Sequence, residues 1–228
     1  PKIFVFENVM GLLSAKLGNR KTFDVIRESL GSNYILTENI NKMVLDACEY
    51  GVPQIRKRII LIGIRRDIDY KVDQLIDNIN KTHYSPETPK DKIQGRKKYN
   101  TVEDAIADLS YLKPGEGSEK NSHNVNKWNE YLLKIRSKKD KYITNHVARG
   151  HNLEDRKRYL EMSKNKWSFK ELLSNMPELN HPKQRVFNNS YVVQLWNKPA
   201  RTIIAHLYKD GNQFIHPNHK LERTLTAR

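Results

Sequence analysis

The run "RIILIGIRR" constrains this chain more than any other stretch. From Ile59 to Ile64 it is almost wholly apolar and rich in β-branched residues, a composition that favours a buried strand. A second run, "IFVF" from Ile3 to Phe6, carries no capping or turn signal before it and emerges directly into a polar pair, Glu7-Asn8. It too reads as a buried strand. Strands of this kind need neighbours on both sides. Between the two runs, "KTFDVIRESLGSN" puts Phe23, Ile26 and Leu30 on one helical face, with Gly31 as a C-terminal cap. "YILTENIN" is a further strand candidate. Residues 1–67 therefore read as α/β.

Residues 68–185 have a different texture: rich in Lys, Asn and Tyr, weakly periodic, and broken by turn signals such as "SPETP" and "KPGEGSEKN". Short helices are predicted around "TVEDAIADL" and "KWNEYLLKIR". From residue 186 the apolar character returns in "SYVVQLW" and "ARTIIAHL". No internal repeat or low-complexity tract is visible. A chain of 228 residues is enough for one large domain or two small ones.

The net charge is +15 and the pI about 9.7, so a polyanion is the natural partner, with nucleic acid first. A merely solvated basic surface is the bland alternative; the size of the excess and the aromatics mixed into it weigh against it. The single cysteine, Cys48, forms no internal disulfide and predicts a reducing compartment. No apolar run approaches the length that spans a membrane, and no signal peptide is visible, so the expected location is the cytoplasm. The first residue is Pro1, which fits a chain cut from something longer, or a processed one.

The stretch "YGVPQIRKRIILIGIRRD" adds chemistry to the apolar run. Gln54, Arg56 and Arg58 alternate along what becomes a strand, and side chains two apart point the same way. One face then carries an amide and two guanidiniums, while Ile55, Ile59 and Leu61 supply apolar contacts. Guanidinium forks suit phosphates and carbonyl oxygens. Taken alone, a basic strand edge that discourages aggregation explains the pattern equally well.

Taken together, "FVFENVMGL" and "YGVPQIRKRIILIGIRRD" resemble the DNA cytosine-5 methyltransferases, in which a strand ending in Glu-Asn-Val is followed some tens of residues later by Gln-x-Arg-x-Arg. Here these are Glu7-Asn8-Val9 and Gln54 to Arg58. Near the far end, "KPARTIIAHLYKDGNQFIHP" with "RTLTAR" resembles the family's ninth conserved block, and "NHVARGHNLEDRKRY" is similar to one bacterial branch. The resemblance covers residues 1–67 and 186–228. It implies the second half of a Rossmann-like, S-adenosylmethionine-dependent methyltransferase sheet (1–67), an α+β target-recognition domain (68–185), and a segment linking recognition and catalysis (186–228).

The resemblance also implies roles. Methylating C5 of cytosine is hard because that carbon is a poor nucleophile; family members add a thiolate at C6, which pushes charge toward N3 and O2. A carboxylic acid at a strand end, partly desolvated, can serve N3. Glu7 has that role by resemblance, Arg58 holds O2, and Arg56 takes a DNA phosphate. Asn8 shapes the turn, Gln54 joins the DNA-binding set, Thr202 matches a threonine that helps form the recognition site and its contacts to the target nucleotide, and Arg201 beside it is a further DNA-binding candidate. The base is flipped out of the duplex. The family's nucleophile lies in a Pro-Cys motif, and its cofactor loop is Gly-rich; both are upstream in the family, and neither occurs here. The implied picture is a fragment or split subunit, inactive alone, partnered by double-stranded DNA and by the missing half, with S-adenosylmethionine bound mainly by that half. A non-catalytic DNA-binding module derived from such an enzyme is the alternative.

The remaining candidates read as structural. Cys48 lies downstream of where the family places its nucleophile and reads as a small core residue. His146, His151, His216 and His219 lack convincing ligand spacing. Trp128, Trp167 and Trp196 read as packing residues. "GRKK", "RSKKDK" and "EDRKRY" suit phosphate contacts or ordinary solvation.

Overall fold

The structure is a computed structural model that describes residues 1–93, 95–122, 125, 127–181, 190–205, 207 and 211–228. It divides into two compact units, Pro1–Tyr99 and Asn100–Arg228. The first unit runs β1 (Ile3–Val9), a ribbon of β2 (Lys16–Leu17) with β3 (Arg20–Lys21), α1 (Thr22–Gly31), β4 (Tyr34–Leu36), α2 (Ile40–Met43), β5 (Val44–Asp46), β6 (Lys57–Arg65), α3 (Val72–Asp77) and the short pair β7 (His83–Tyr84) and β8 (Lys97–Lys98). Strand β6 is its centre. β1 pairs antiparallel along one side, from Ile3 opposite Ile64 to Val9 opposite Arg58. On the other side β4 and then β5 pair antiparallel with successive parts of β6.

The apolar run of β6 does what its composition predicts. Ile59, Leu61 and Ile64 are fully buried, and they join Phe23 of α1, Met43 of α2 and Val72 and Ile76 of α3 in one core. The first run departs from expectation. β1 alternates strictly: Phe4 and Phe6 pack on the core, while Ile3, Val5 and Val9 are 49%, 65% and 50% exposed. Among the described residues β1 ends the sheet, and with every other side chain open to solvent the run is not a fully buried strand. The expected left-handed cap at Gly31 does not form either. Gly31 is the last residue of α1, and the helix closes through a right-handed Ser32. "YILTENIN" gives only three strand residues before Asn39 caps α2 through the Asn41 N–H at 2.9 Å.

Glycine is required at Gly63. It lies opposite Phe4 across the β1–β6 pair, and a Cβ there would overlap the Phe4 ring. That ring in turn meets Tyr34 edge to face, with centroids 4.8 Å apart, a favourable arrangement of ring quadrupoles.

The second unit opens with α4 (Val102–Ile106), started by a reciprocal Thr101–Asp104 capping box. It continues through β9 (Gly117–Ser122), α5 (Glu130–Ile135), β10 (Tyr142–Val147), α6 (Leu153–Asn165) and α7 (Phe169–Asn175). β9 and β10 form an antiparallel ribbon. Helices α4 and α5 fall within the two segments predicted to be helical. α6 and α7 were not anticipated, because α6 is polar on most of its surface. Their start signals are nonetheless present: Asn152 accepts from the Asp155 N–H, and Ser168 with Glu171 forms a capping box. Tyr159, Met162, Phe169, Leu172, Leu179, Tyr191 and Ile215 make the core here. The sequence-derived boundary at 185/186 lies outside the described residues.

Replacing Gly63 with Ala is expected to destabilise the first unit by about 1–3 kcal/mol through overpacking, read as a lower urea midpoint. Adding Phe4→Leu should recover part of the loss; if Gly63→Ala alone is neutral, the ring does not need that space.

Candidate functional site

Register places Glu7 and Arg58 on one face of the β1–β6 pair. Val9 is opposite Arg58 and Glu7 opposite Ile60, so the two side chains are diagonal neighbours. Arg58 Nε lies 2.8 Å from Glu7 Oε1, and Arg58 Nη1 donates to the Lys57 carbonyl at 2.8 Å. The guanidinium is largely covered at 17% exposure, whereas the Glu7 side chain is 52% exposed. The desolvation anticipated for Glu7 is therefore not met here: the carboxylate is held by a charge-assisted bond and open to water. Asn8 makes a local bond, its Oδ1 accepting the Val9 N–H at 2.8 Å where the strand turns into a short 3-10 helix, Met10–Leu13.

Gln54 and Arg56 do not lie on the strand, which starts at Lys57; only Arg58 of the three does. The backbone of Arg56 is fixed by a loop instead. Asp46 Oδ1 accepts the Arg56 N–H at 2.9 Å and the Cys48 N–H at 3.4 Å, and the Ala47 N–H donates to the Arg56 carbonyl at 3.1 Å. Gly51 closes this loop in a left-handed conformation, φ 86°. Asp46 is thus a positioning residue that the sequence reading passed over. Its signal is an Asp immediately before "ACEYG", where the side chain caps the first turn. Cys48 is fully buried. Burial, followed by the charges of Asp46 and Glu49, pushes its thiol up to about 12, so it remains a protonated core residue. Glu49 holds Lys81 Nζ at 2.6 Å and Arg96 Nη1 at 3.8 Å, fastening the basic 81–98 segment beside this loop.

Arg201 and Thr202 lie in the second unit. The Arg201 N–H donates to Gln194 Oε1 at 3.1 Å, and Gln194 Nε2 donates to the Gln213 carbonyl at 3.0 Å. The Arg201 side chain is exposed and Thr202 is half-buried. Several basic residues from the clusters and the last block are internal, not presented to a phosphate. Arg136 pairs with Asp108 at 2.9 Å. Arg158 donates to the carbonyls of Leu179 and Asn180 and to Asp155. Arg223 is buried on the carbonyls of Leu109, Leu112 and Thr224.

The histidines are built into the same unit. His146 Nδ1 is 3.0 Å from Thr226 Oγ1, His151 Nε2 accepts the Thr224 N–H at 3.4 Å, and His216 Nδ1 accepts the Asn218 N–H at 3.0 Å. His219 starts a short 3-10 turn, His219–Leu221. Burial lowers His151 to about 4 and His216 well below its ordinary value. Among the described residues no cluster of three or more His, Cys, Asp or Glu is suited to a metal ion. Trp167 packs on the second core, Trp196 meets His216 edge to face, and Trp128 lies under Lys138 Nζ at 5.8 Å.

The family described as C-5 cytosine-specific DNA methylase matches residues 1–228. The chain belongs to this family. It is 31% identical over 242 residues to the Type II methyltransferase M.Bpa9945I of Bacillus paralicheniformis, covering 100% of this chain and 51% of that protein. It is also 31% identical over 233 residues to the Type II methyltransferase M.DdeI of Desulfomicrobium norvegicum, with the same coverage. This methylase-family chain thus spans about half the length of the curated relatives it matches. A crystal structure from E. coli, assigned as a prophage-encoded DNA modification methyltransferase, superposes with a TM-score of 0.60 at 16% identity over 99% of this chain and 56% of the other. The mixed α/β fold is that of a methyltransferase. No helix among the described residues is long and apolar enough to cross a membrane.

The buried histidines give this methylase chain a pH signature. A folded-state value below the unfolded 6.5 means that the unfolded chain takes up the proton first, so stability is complete above about 6.5 and falls toward about 4. Urea midpoints measured between those values should decline as pH falls, and His151→Gln should flatten the decline relative to wild type. An identical slope in both proteins would show that His151 does not contribute.

Proposed function

We propose that this chain works as part of a DNA cytosine-5 methyltransferase, which moves a methyl group from S-adenosylmethionine to C5 of a flipped cytosine in a specific duplex sequence. The observation that carries the reading is the Glu7–Arg58 pair at 2.8 Å, in a chain whose family match runs its whole length. O2 and N3 are adjacent atoms on one edge of cytosine. A guanidinium and a carboxyl group in mutual contact are spaced to address two such atoms together.

In this reading Arg58 binds O2 and holds Glu7 in orientation, and Glu7 delivers a proton or hydrogen bond to N3 as charge develops there. Arg56, its backbone held by the Asp46 loop, takes a phosphate of the target strand. Gln54 and Asn8 support the same edge of the site, and Arg201 and Thr202 contact the target nucleotide. Residues 1–67 belong to the catalytic domain, 68–185 to target recognition and 186–228 to the connection between them.

Gly115 and Gly117, the close glycine pair, serve the β9–β10 ribbon, where Gly117 is opposite Val147 and a Cβ on it would overlap the His146 carbonyl. In this reading the methyl donor is bound mainly, and the attacking thiolate supplied, by sequence outside these 228 residues, while Cys48 is a buried core residue.

Two measurements test this. The isolated chain should bind duplex DNA with a log–log salt slope of about −0.9 per phosphate contact and should incorporate no labelled methyl group. Salt-independent binding, or methylation by this chain alone, contradicts the reading. In a chimera where these 228 residues replace the matched half of M.Bpa9945I, Glu7→Gln should lower the single-turnover rate by about 10²- to 10⁴-fold with little change in DNA affinity. Arg56→Ala should act mainly on affinity. If Glu7→Gln stays within about threefold of the unmodified chimera, Glu7 is not the acid.

A further inference from the structure

We infer that Gln194 is a positioning residue: its buried side-chain amide fixes the segment that presents Arg201 and Thr202 to the target nucleotide. The inference rests on the proposed function and adds what holds that part of the site in place. Gln194 is a polar side chain at 2% exposure, and both ends of its amide are used. Oε1 accepts the Arg201 N–H at 3.1 Å, and Nε2 donates to the Gln213 carbonyl at 3.0 Å. Burial of a polar group is tolerated when partners satisfy it. A neutral amide brings a donor and an acceptor to neighbouring atoms without burying a charge.

The backbone that carries this amide is itself fixed. The Val192 N–H donates to the Asn212 carbonyl, the Ile215 N–H to the Val192 carbonyl and the Gln194 N–H to the Ile215 carbonyl, each at 2.9 Å. Residues 192–194 therefore lie alongside 212–215, where Phe214 and Ile215 are buried. Beyond Gln194 the chain turns back over α4. The Trp196 carbonyl accepts the Glu103 N–H at 3.0 Å, and the Lys198 carbonyl accepts the Val102 N–H at 2.9 Å. These are two of the donors that the first turn of a helix leaves without partners inside it. Ala200 is buried. From Arg201 to Ile204 the character changes. These residues belong to no helix or strand, the Arg201 side chain is exposed, and Ile203 and Ile204 are 38% and 46% exposed. A stretch this open gains little order from packing. The Gln194–Arg201 bond fixes where it begins, and the Gln194–Gln213 bond ties that point to the backbone beneath. The side chain takes the place of a neighbouring strand.

Two substitutions separate positioning from a purely structural role. Gln194→Met keeps the length and removes both bonds. Gln194→Glu keeps an acceptor for the Arg201 N–H and loses the donor to the Gln213 carbonyl. Both should lower the Tm of the chain. The M.Bpa9945I chimera first reveals its preferred site on a pool of random-sequence duplexes, with methylated cytosines located by bisulfite sequencing. On a duplex carrying that site, Gln194→Met should raise KM by about tenfold or more and leave the saturating single-turnover rate within about threefold, the pattern of a contact made equally in ground and transition states. Gln194→Glu should stay within about threefold of the unmodified chimera in both quantities. In the isolated chain the Arg201 amide, followed by NMR, should exchange roughly tenfold faster in Gln194→Met than in wild type, and at the wild-type rate in Gln194→Glu. If both variants raise KM alike, Gln194 acts through Gln213 on the fold and the inference is overturned. An active chimera whose KM is indifferent to Gln194→Met overturns it too and leaves the function standing. So does an Arg201 amide that exchanges alike in wild type and Gln194→Met. The functional reading fails separately: an unmodified chimera that methylates nothing sinks it, and the exchange measurement still decides the anchor.

Discussion

Everything in the first unit depends on β6 being apolar on both faces. A strand with that composition is stable only when layered on both sides, and here α1, α2 and α3 supply Phe23, Met43, Val72 and Ile76 to the layers. Because side chains alternate with a period of two, its register also dictates which residues of β1 face which way. A slip of one residue would turn Phe4 and Phe6 outward and carry Glu7 to the core side, away from Arg58. The Phe4–Gly63 fit favours the observed register: a Cβ at position 63 would overlap the ring where it lies. Core packing thus sets the geometry of the Glu7–Arg58 pair, with no dedicated element for the purpose.

The basic face is set differently. Arg56 precedes the strand, so no ladder fixes it; one carboxylate, Asp46, accepts its N–H and that of Cys48 while the Ala47 N–H closes on its carbonyl. A buried acid accepting two backbone donors is well satisfied, and the resulting rigid loop costs little more to hold an arginine in place. Charge elsewhere in the chain is partly diverted from ligand binding. Arg136, Arg158 and Arg223 spend their donors on internal carboxylates and carbonyls. These three guanidiniums serve the packing of the second unit.

The sequence was informative where a local rule decides the outcome. β6 was legible because composition alone fixes a doubly buried strand, and α4 and α5 because each has a capping residue ahead of a short apolar face. Glu7 and Arg58 were legible as a constellation, through resemblance, before their 2.8 Å approach was known. What failed depended on neighbours. Alternation of Gln54, Arg56 and Arg58 is a true statement about strands, but strand β6 starts only at Lys57, because the Asp46 loop claims the backbone before it. α6 was hidden because one of its buried residues is Arg158, satisfied by the carbonyls of Leu179 and Asn180 from far along the chain; no hydropathy pattern marks an arginine as core. "IFVF" read as buried because composition does not say whether the covering layer is at hand.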